Sequence, residues 1–382
     1  MDFTPSRLVL ARKRRGLTKK ELATRAGLSV RILTSYEAGE KVPSLLSLRK
    51  IAQVLAFPIG FFSGRDLEEP PVWGASFRAL SRLPAHKRDQ ALGAGALALA
   101  IDDWIAERFD RPDVSIPRLR GVDPETAALA LRTEWGVGER PVKNMVKMLE
   151  LHGVRVFSLA EEYAEVNAFS FWRSETPYVF LNTMKTAEKS RMDAAHELGH
   201  LVLHWGHETP RGRVYEQEAE TFASTFLMPR GSVLANAPRG ASLDQIIHLK
   251  LTWKVSAAAL AHRMHGLGLL TEWQYRQIFI SLAQRGFSKS EPEEMPREVS
   301  EVLPRVLAVM RGEGVTPAAI AADLSIPREE FDQLVFGLVM TQVAGGGEQS
   351  TPPRAPQLTL VTGASANAPT RPSGPARNAP RR

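Results

Sequence analysis

The stretch Thr18 to Ser29, "TKKELATRAGLS", leaves the chain little choice of local structure. Thr18 and Glu21 spell a capping box: the Thr18 hydroxyl bonds the Glu21 amide, and the Glu21 carboxylate reaches back to start a helix. Gly27 supplies the freedom for a sharp turn, and Ser29 can cap the next helix, "VRILTSYE". Leu22, Ala23, Ile32, Leu33 and Tyr36 then pack the two helices together. A helix over 6–15 comes before, stopped by Gly16. "PSLLSLRKIAQVLAF" comes after, with Leu45, Leu48, Ile51, Ala52 and Leu55 at helical spacing. Residues 1–62 therefore read as five short helices.

Charge sorts along the chain. Residues 1–62 hold 12 Lys/Arg against 4 Asp/Glu, and residues 346–382 hold 5 Arg against one Glu, while the whole chain is only +7, so the middle is acidic. An electropositive first domain on an acidic body points to nucleic acid at that end. The alternative is a small helical bundle with a solvated basic face that docks on protein. With 382 residues, 43% of them apolar, the chain can bury two or three domains. Without a cysteine it has no disulfide or thiolate, so any metal must be held by His and carboxylates. "MDFTPSRLVLARKRRG" lacks the features of a signal peptide, and the apolar run "ALGAGALALAI" stops short of the roughly 20 residues of a membrane span. The expectation is a cytoplasmic protein with no membrane partner.

Beyond Ser63 the pattern is helical but looser, with "AGALALAIDDWIAERF" the clearest amphipathic run, and 63–124 reads as a helical linker. Helices begin at Asp123-Pro124 and at Pro141, the second ended by Gly153. The period then changes. "VRVFSL", "NAFSFWR" and "YVFLN" alternate or are aromatic-rich and read as three short strands. A mainly α, multidomain chain follows: a five-helix N-terminal domain, then an α+β domain with a small sheet, then C-terminal helices and a tail.

The stretch "DAAHELGHLVLH" carries the chemistry, on a helix that begins near Thr186. His196 and His200 are four apart, about 40° around a helix axis, so both imidazoles face one point. That geometry suits two nitrogens on one zinc ion, with Glu197 beside them to take a proton from water. A third ligand must come from elsewhere. In "YEQEAETFASTFLMP", Glu218 shares a side with Phe222 and Phe226, where a carboxylate is costly unless a cation such as zinc meets it. Glu216, in the first turn, reads as a solvated charge that suits the helix dipole. His204 reads as a packed or supporting histidine, and His207 and Tyr215 join it by position as candidates to stabilise an oxyanion.

Two resemblances rest on these residues. "RGLTKKELATRAGLS", "YEAGEKVPS" and "LRKIAQVLAFPIGFF" resemble the XRE/Cro-type helix-turn-helix of phage-repressor-like regulators, over 1–62. That resemblance implies double-stranded DNA as partner. The helix from Ser29 would lie in the major groove with Val30, Arg31 and Ser35 at base edges, Thr34 nearby, and Lys19 at a phosphate. Arg31 is the candidate for a bidentate contact to guanine. A homodimer is expected, because one small domain of this kind seldom supplies enough affinity.

"FLNTMKTAEKSRMDAAHELGHLVLH", "EQEAETFASTFLMP" and "KLTWKVSAAALAHRMHGLGLL" resemble the ImmA/IrrE zinc metallopeptidases, over 125–295. This implies Zn2+ held by His196, His200 and Glu218, Glu197 as general base, and an XRE-type repressor as substrate. Glu220 stands where many such proteins carry Asn or Asp. "YVFLN" would be the edge on which a peptide adds as a strand. Three functions are compatible with the pair of motifs: a DNA-binding regulator whose peptidase-like domain senses or processes something, a protease targeted by its helix-turn-helix, and a regulator with a structural zinc domain.

Residues 296–345 form a C-terminal helical segment. "GVTPAAIAADLSIPREEFDQLVFGL" has a helix-turn-helix cadence, but Glu329, Glu330 and Asp332 would be repelled by phosphates, so packing or dimerisation is the expected role. The stretch 346–382, with 7 prolines, reads as a disordered basic tail.

Overall fold

The computed structural model describes residues 2–70, 84–159, 168–205, 212–287 and 290–339. The tail over 346–382 and His207 lie outside the described residues.

The first domain is built from α1 (Pro5–Arg14), α2 (Lys19–Ala26), α3 (Val30–Glu37) and α4 (Leu45–Leu55). The expected capping box forms: the Thr18 side chain accepts from the Glu21 amide at 3.2 Å and the Thr18 amide donates to Glu21 Oε2 at 2.8 Å. Gly27 sits at φ 64°, the left-handed conformation that lets α2 turn into α3. Ser29 and Ser44 cap α3 and α4. The expected fifth helix is instead a 3-10 turn, Ile59–Ser63, whose Phe61 and Phe62 are buried. Pro58 precedes it and Gly64 follows, too close for an α-helix to propagate.

Helix α5 (Ala85–Ala106) packs along α1, its Gly93 facing the Arg14 side chain. Helices α6 (Pro124–Glu134) and α7 (Met145–Leu151) lead into a three-stranded sheet of β1 (Arg155–Leu159), β2 (Ala168–Arg173) and β3 (Thr176–Asn182). Helix α6 starts where expected, capped by Asp123. Helix α7 starts at Met145 rather than Pro141, because the Asn144 side chain caps it by accepting from the Lys147 amide.

The strand order is β1-β3-β2, with β1 parallel and β2 antiparallel to β3. Strand β3 is therefore central, flanked on both sides, and cannot be the edge to which a peptide adds. Strand β2 is an edge among the described residues. The sequence could not rank the strands, since β2 and β3 are both aromatic and both buried for most of their length.

Helix α8 (Ala187–Leu203) lies across β2 and β3, and α9 (Arg213–Leu227) crosses α8. Gly199 sets that crossing: a Cβ there would meet the Ala219 Cα at 3.2 Å and the Phe222 ring at 3.1 Å. Helices α10 (Arg230–Asn236), α11 (Leu243–Trp253), α12 (Ala257–Gly266) and α13 (Glu272–Gln284) complete this body.

The C-terminal helices α14 (Val302–Gly312), α15 (Pro317–Asp323) and α16 (Arg328–Val335) fold back between the two halves. Helix α16 packs on β1 and α5, and Ser158 of β1 donates to the Gln333 carbonyl. Glu330, 1% exposed, bonds Arg14 at 2.8 Å and also meets Arg15, both from the first domain. Packing, the role expected of this acidic helix, is what it has. No helix among the described residues is long and apolar enough to cross a membrane.

Candidate metal centre and DNA-facing helix

Thr186 caps α8, accepting from the Lys189 amide, and the helix carries His196 and His200 before ending with His204 as its C-cap. His196 Nε2 and His200 Nε2 lie 3.1 Å apart. Two nitrogens each about 2.0–2.1 Å from a tetrahedral zinc would be about 3.3 Å apart, so the pair fits the ion closely. Glu216, on the first turn of α9, joins them: its carboxylate is 3.7 Å from His196 Nε2 and 3.9 Å from His200 Nε2. One ligand atom from each of the three falls within 4.8 Å of the others. The donor set, two imidazoles and a carboxylate, is one that zinc takes.

Glu218, the expected third ligand, is elsewhere. Its carboxylate accepts from His204 Nε2 at 2.7 Å. Residues two apart on a helix point about 200° from each other, so Glu216 and Glu218 cannot face one ion from a regular helix. The buried phenylalanines Phe222 and Phe226 marked the packed side of α9 correctly, but Glu218 stands at its rim, its side chain 37% exposed. Glu216, read from sequence as a solvated charge, is the carboxylate that the fold brings to the imidazoles. Glu220 is exposed and plays no part in the cluster.

His204 links the two carboxylate positions. Its Nδ1 lies 2.9 Å from His200 Nδ1, so His200, His204 and Glu218 form one chain of hydrogen bonds on the far side of the His200 ring from the Nε2 that joins the cluster. Such a chain fixes the tautomer and ring orientation of a ligating histidine. Tyr215 packs its ring edge-on to His204, with centroids 5.1 Å apart.

Electrostatics separate the imidazoles. Burial, with His196 and His204 alongside, holds His200 well below its ordinary range and so neutral at pH 7, the form that can ligate a metal. Burial likewise lowers His204, though Glu218 opposes it. For His196 burial pulls downward, but the hydrogen bond it donates to the Glu216 carboxylate and the charges of Glu197, Glu216 and Asp193 outweigh it, and the net shift is upward.

Glu197 is 3% exposed and faces the sheet. Ser170 of β2 donates to Glu197 Oε2 at 2.7 Å. Sequence reasoning missed this partner. The only available signal was the polar Ser170 between Phe169 and Phe171, and it said nothing of the strand's position over α8.

On α3, Val30 is 44% exposed, and Arg31 and Thr34 are exposed too, as a groove-reading face requires. One of the expected DNA contacts is not presented. Ser35 is buried and donates back to the Arg31 carbonyl at 3.1 Å, since it lies on the inner edge of the helix. Lys19, 41% exposed, stays at the surface and pairs with Glu37 at 3.3 Å, a carboxylate that Arg12 also holds.

With this geometry in view, comparison with known families assigns both parts. Residues 8–62 match the helix-turn-helix family, and residues 149–265 match the family described as IrrE N-terminal-like domain. The chain thus joins a helix-turn-helix DNA-binding domain to an ImmA/IrrE-like peptidase domain, a combination consistent with a regulator bearing a peptidase-like module. No curated protein matches the chain.

Proposed function

We propose that this chain is a DNA-binding transcriptional regulator whose second domain is a zinc-dependent endopeptidase, acting on an extended segment of a protein such as an XRE-type repressor. The observation that carries the reading is the cluster of His196, His200 and Glu216 with Glu197 buried beside it. Zinc bound there would supply Lewis acidity toward a carbonyl and toward water.

The chain's own residues do the rest. Glu197 takes a proton from the attacking water and returns it to the leaving amine, and Ser170 fixes the carboxylate for both transfers. His204 and Glu218 hold the His200 imidazole in one orientation. Strand β2, an edge that carries Ser170, is where an extended substrate can pair its backbone close to Glu197. Arg31, with Val30 and Thr34, reads bases from the major groove. The protein is taken to act in the cytoplasm as a dimer on two half-sites.

The test uses the full chain and Glu197→Gln, assayed for metal content, for a mobility shift on the gene's own upstream DNA and for cleavage of an XRE-type repressor. The expected result is about one zinc per chain and DNA binding in both proteins, with cleavage only in the wild type. Zinc and DNA binding without cleavage by the wild type would replace the peptidase reading with that of a regulator carrying a structural metal. Absence of zinc would remove both.

A further inference from the structure

Away from the metal centre, a recess of about 310 Å³ opens between the end of α6 and the helix α7. Its walls are apolar: Trp135, Val137, Pro141, Met148 and Leu151. The indole is held in place. It stacks on His152 with centroids 3.8 Å apart and planes 3° from parallel, and its Nε1 donates to the Ser115 carbonyl at 3.0 Å. It therefore walls the recess without collapsing into it.

The mouth is cationic. Arg140 and Lys143 are exposed there, and Lys147 is the third cation, paired with Glu301 at 2.5 Å. Arg140 donates from Nε to the Val137 carbonyl at 3.3 Å and from Nη2 to that of Gly136, which holds the guanidinium over the opening. Three cations against one carboxylate leave the rim positive. Mostly apolar walls with a few placed polar groups, at this volume, are the usual makeup of a small-molecule site.

We propose that this recess binds a small aromatic carboxylate. The flat body lies against Trp135, Pro141 and Met148, and the carboxylate meets Arg140 and Lys143. Trp and Met favour an aromatic body, through ring packing and sulfur contacts. The rim selects the charge: a cation is repelled, and a neutral analogue gains nothing from the guanidinium.

The inner wall is bonded to the helix of the metal centre. Arg191 of α8 donates to the Val142 carbonyl and pairs with Glu298, and Glu298 also accepts from the Met145 amide at 2.9 Å. The binding site itself does not depend on whether the metal centre turns over.

The test is calorimetric titration of the full chain with 2-naphthoate, and with 2-naphthylmethanol as its uncharged counterpart. Saturable binding of one naphthoate is expected, with the alcohol at least tenfold weaker. The double charge reversal Arg140→Glu/Lys143→Glu, which changes only exposed side chains, should weaken naphthoate at least tenfold. Met148→Trp, which fills the recess, should abolish binding. The proposal is overturned if acid and alcohol bind equally, if the charge-reversed protein binds naphthoate like the wild type, or if naphthoate shows no saturable binding at millimolar concentration.

Discussion

The contact between Glu330 and Arg14 joins the DNA-binding domain to the rest of the chain, and its removal has a calculable cost. Both side chains are 1% exposed, 2.8 Å apart, and Arg14 Nη2 also donates to Gln333 Oε1 at 3.2 Å. Arg15, the second partner of Glu330, is 26% exposed, so water screens most of its share. Glu330→Gln keeps the volume but removes the carboxylate that meets a buried guanidinium. Breaking a buried pair from one side costs about 3–5 kcal/mol. At about 1.4 kcal/mol per decade, that is roughly a 150- to 5,000-fold rise in the opening constant of the joint. Native-state hydrogen exchange reads it through α16, an eight-residue helix too short to persist once undocked: its amides should lose protection by up to that factor, while those of α8 keep theirs. Replacing both partners, Arg14→Met with Glu330→Met, should restore most of the protection, because an apolar pair of similar length substitutes well for a buried ion pair. Protection of α16 unchanged within threefold in Glu330→Gln would refute the claim that this pair fastens α16 to the first domain.

Metal analysis separates the two carboxylates of α9: Glu216→Gln should lose zinc, and Glu218→Gln should keep it more weakly, by about 10- to 100-fold in affinity. The opposite ranking would show that α9 rotates to bring Glu218 to the ion. In a mobility shift Arg31→Ala should weaken specific DNA binding by about 1–3 kcal/mol, whereas Ser35→Ala should change it little. Equal losses would mean that Ser35 turns outward on DNA. Glu150, 3% exposed, is pushed up to about 7 chiefly by burial, against the hydrogen bonds from Ser300, Glu301 and Val302. Its folded value lies above the unfolded one, so its contribution is fully present below about 4.5 and is lost as pH rises through about 7, about 3 kcal/mol in all. His152, lowered to about 4 by burial, acts in the opposite sense in the same window, so the informative quantity is the difference from Glu150→Gln. Thermal melting from pH 5 to 8 should fall less steeply in that variant, and parallel curves would refute the assignment.

The parts of the fold that the sequence revealed are those set by neighbours in the chain. The Thr18–Glu21 box, the left-handed Gly27, the caps at Ser29, Asp123 and Thr186, and the pairing of His196 with His200 each depend on residues within a few positions. What escaped depends on where elements cross. Whether Glu216 or Glu218 meets the histidines depends on the rotation of α9 about its axis, and Gly199 sets that by admitting Ala219 and Phe222. Strand order in the sheet, and with it the role of Ser170, rests on a parallel pairing of β1 with β3 that no local pattern encodes. The place of Ser35 is not legible from sequence, because hydroxyls suit both a groove contact and a bond back to the preceding turn.

The positive charge of the first domain divides between two tasks, and the division explains an acidic helix in a DNA-binding chain. Arg14 and Arg15 at the end of α1 meet Glu330, Arg12 and Lys19 meet Glu37, and Arg7 donates to the Phe61 and Arg65 carbonyls. Lys20, Arg25, Arg31, Lys41, Arg49 and Lys50, on or beside α2, α3 and α4, stay exposed. These six cations are charge of the first domain left available to phosphates. The charge of α1 attaches the domain to α16, whose carboxylate would otherwise be an electrostatic liability near DNA. The same helix accepts from Ser158 of β1 through the Gln333 carbonyl, and Gly337 just beyond it fits against Ser158 and Thr183, where a Cβ would come within 2.8 Å of both. One short C-terminal element thus touches the DNA-binding domain and the edge of the sheet that underlies the metal helix. A shift of α16 large enough to release Arg14 also strains its contacts with Ser158 of β1.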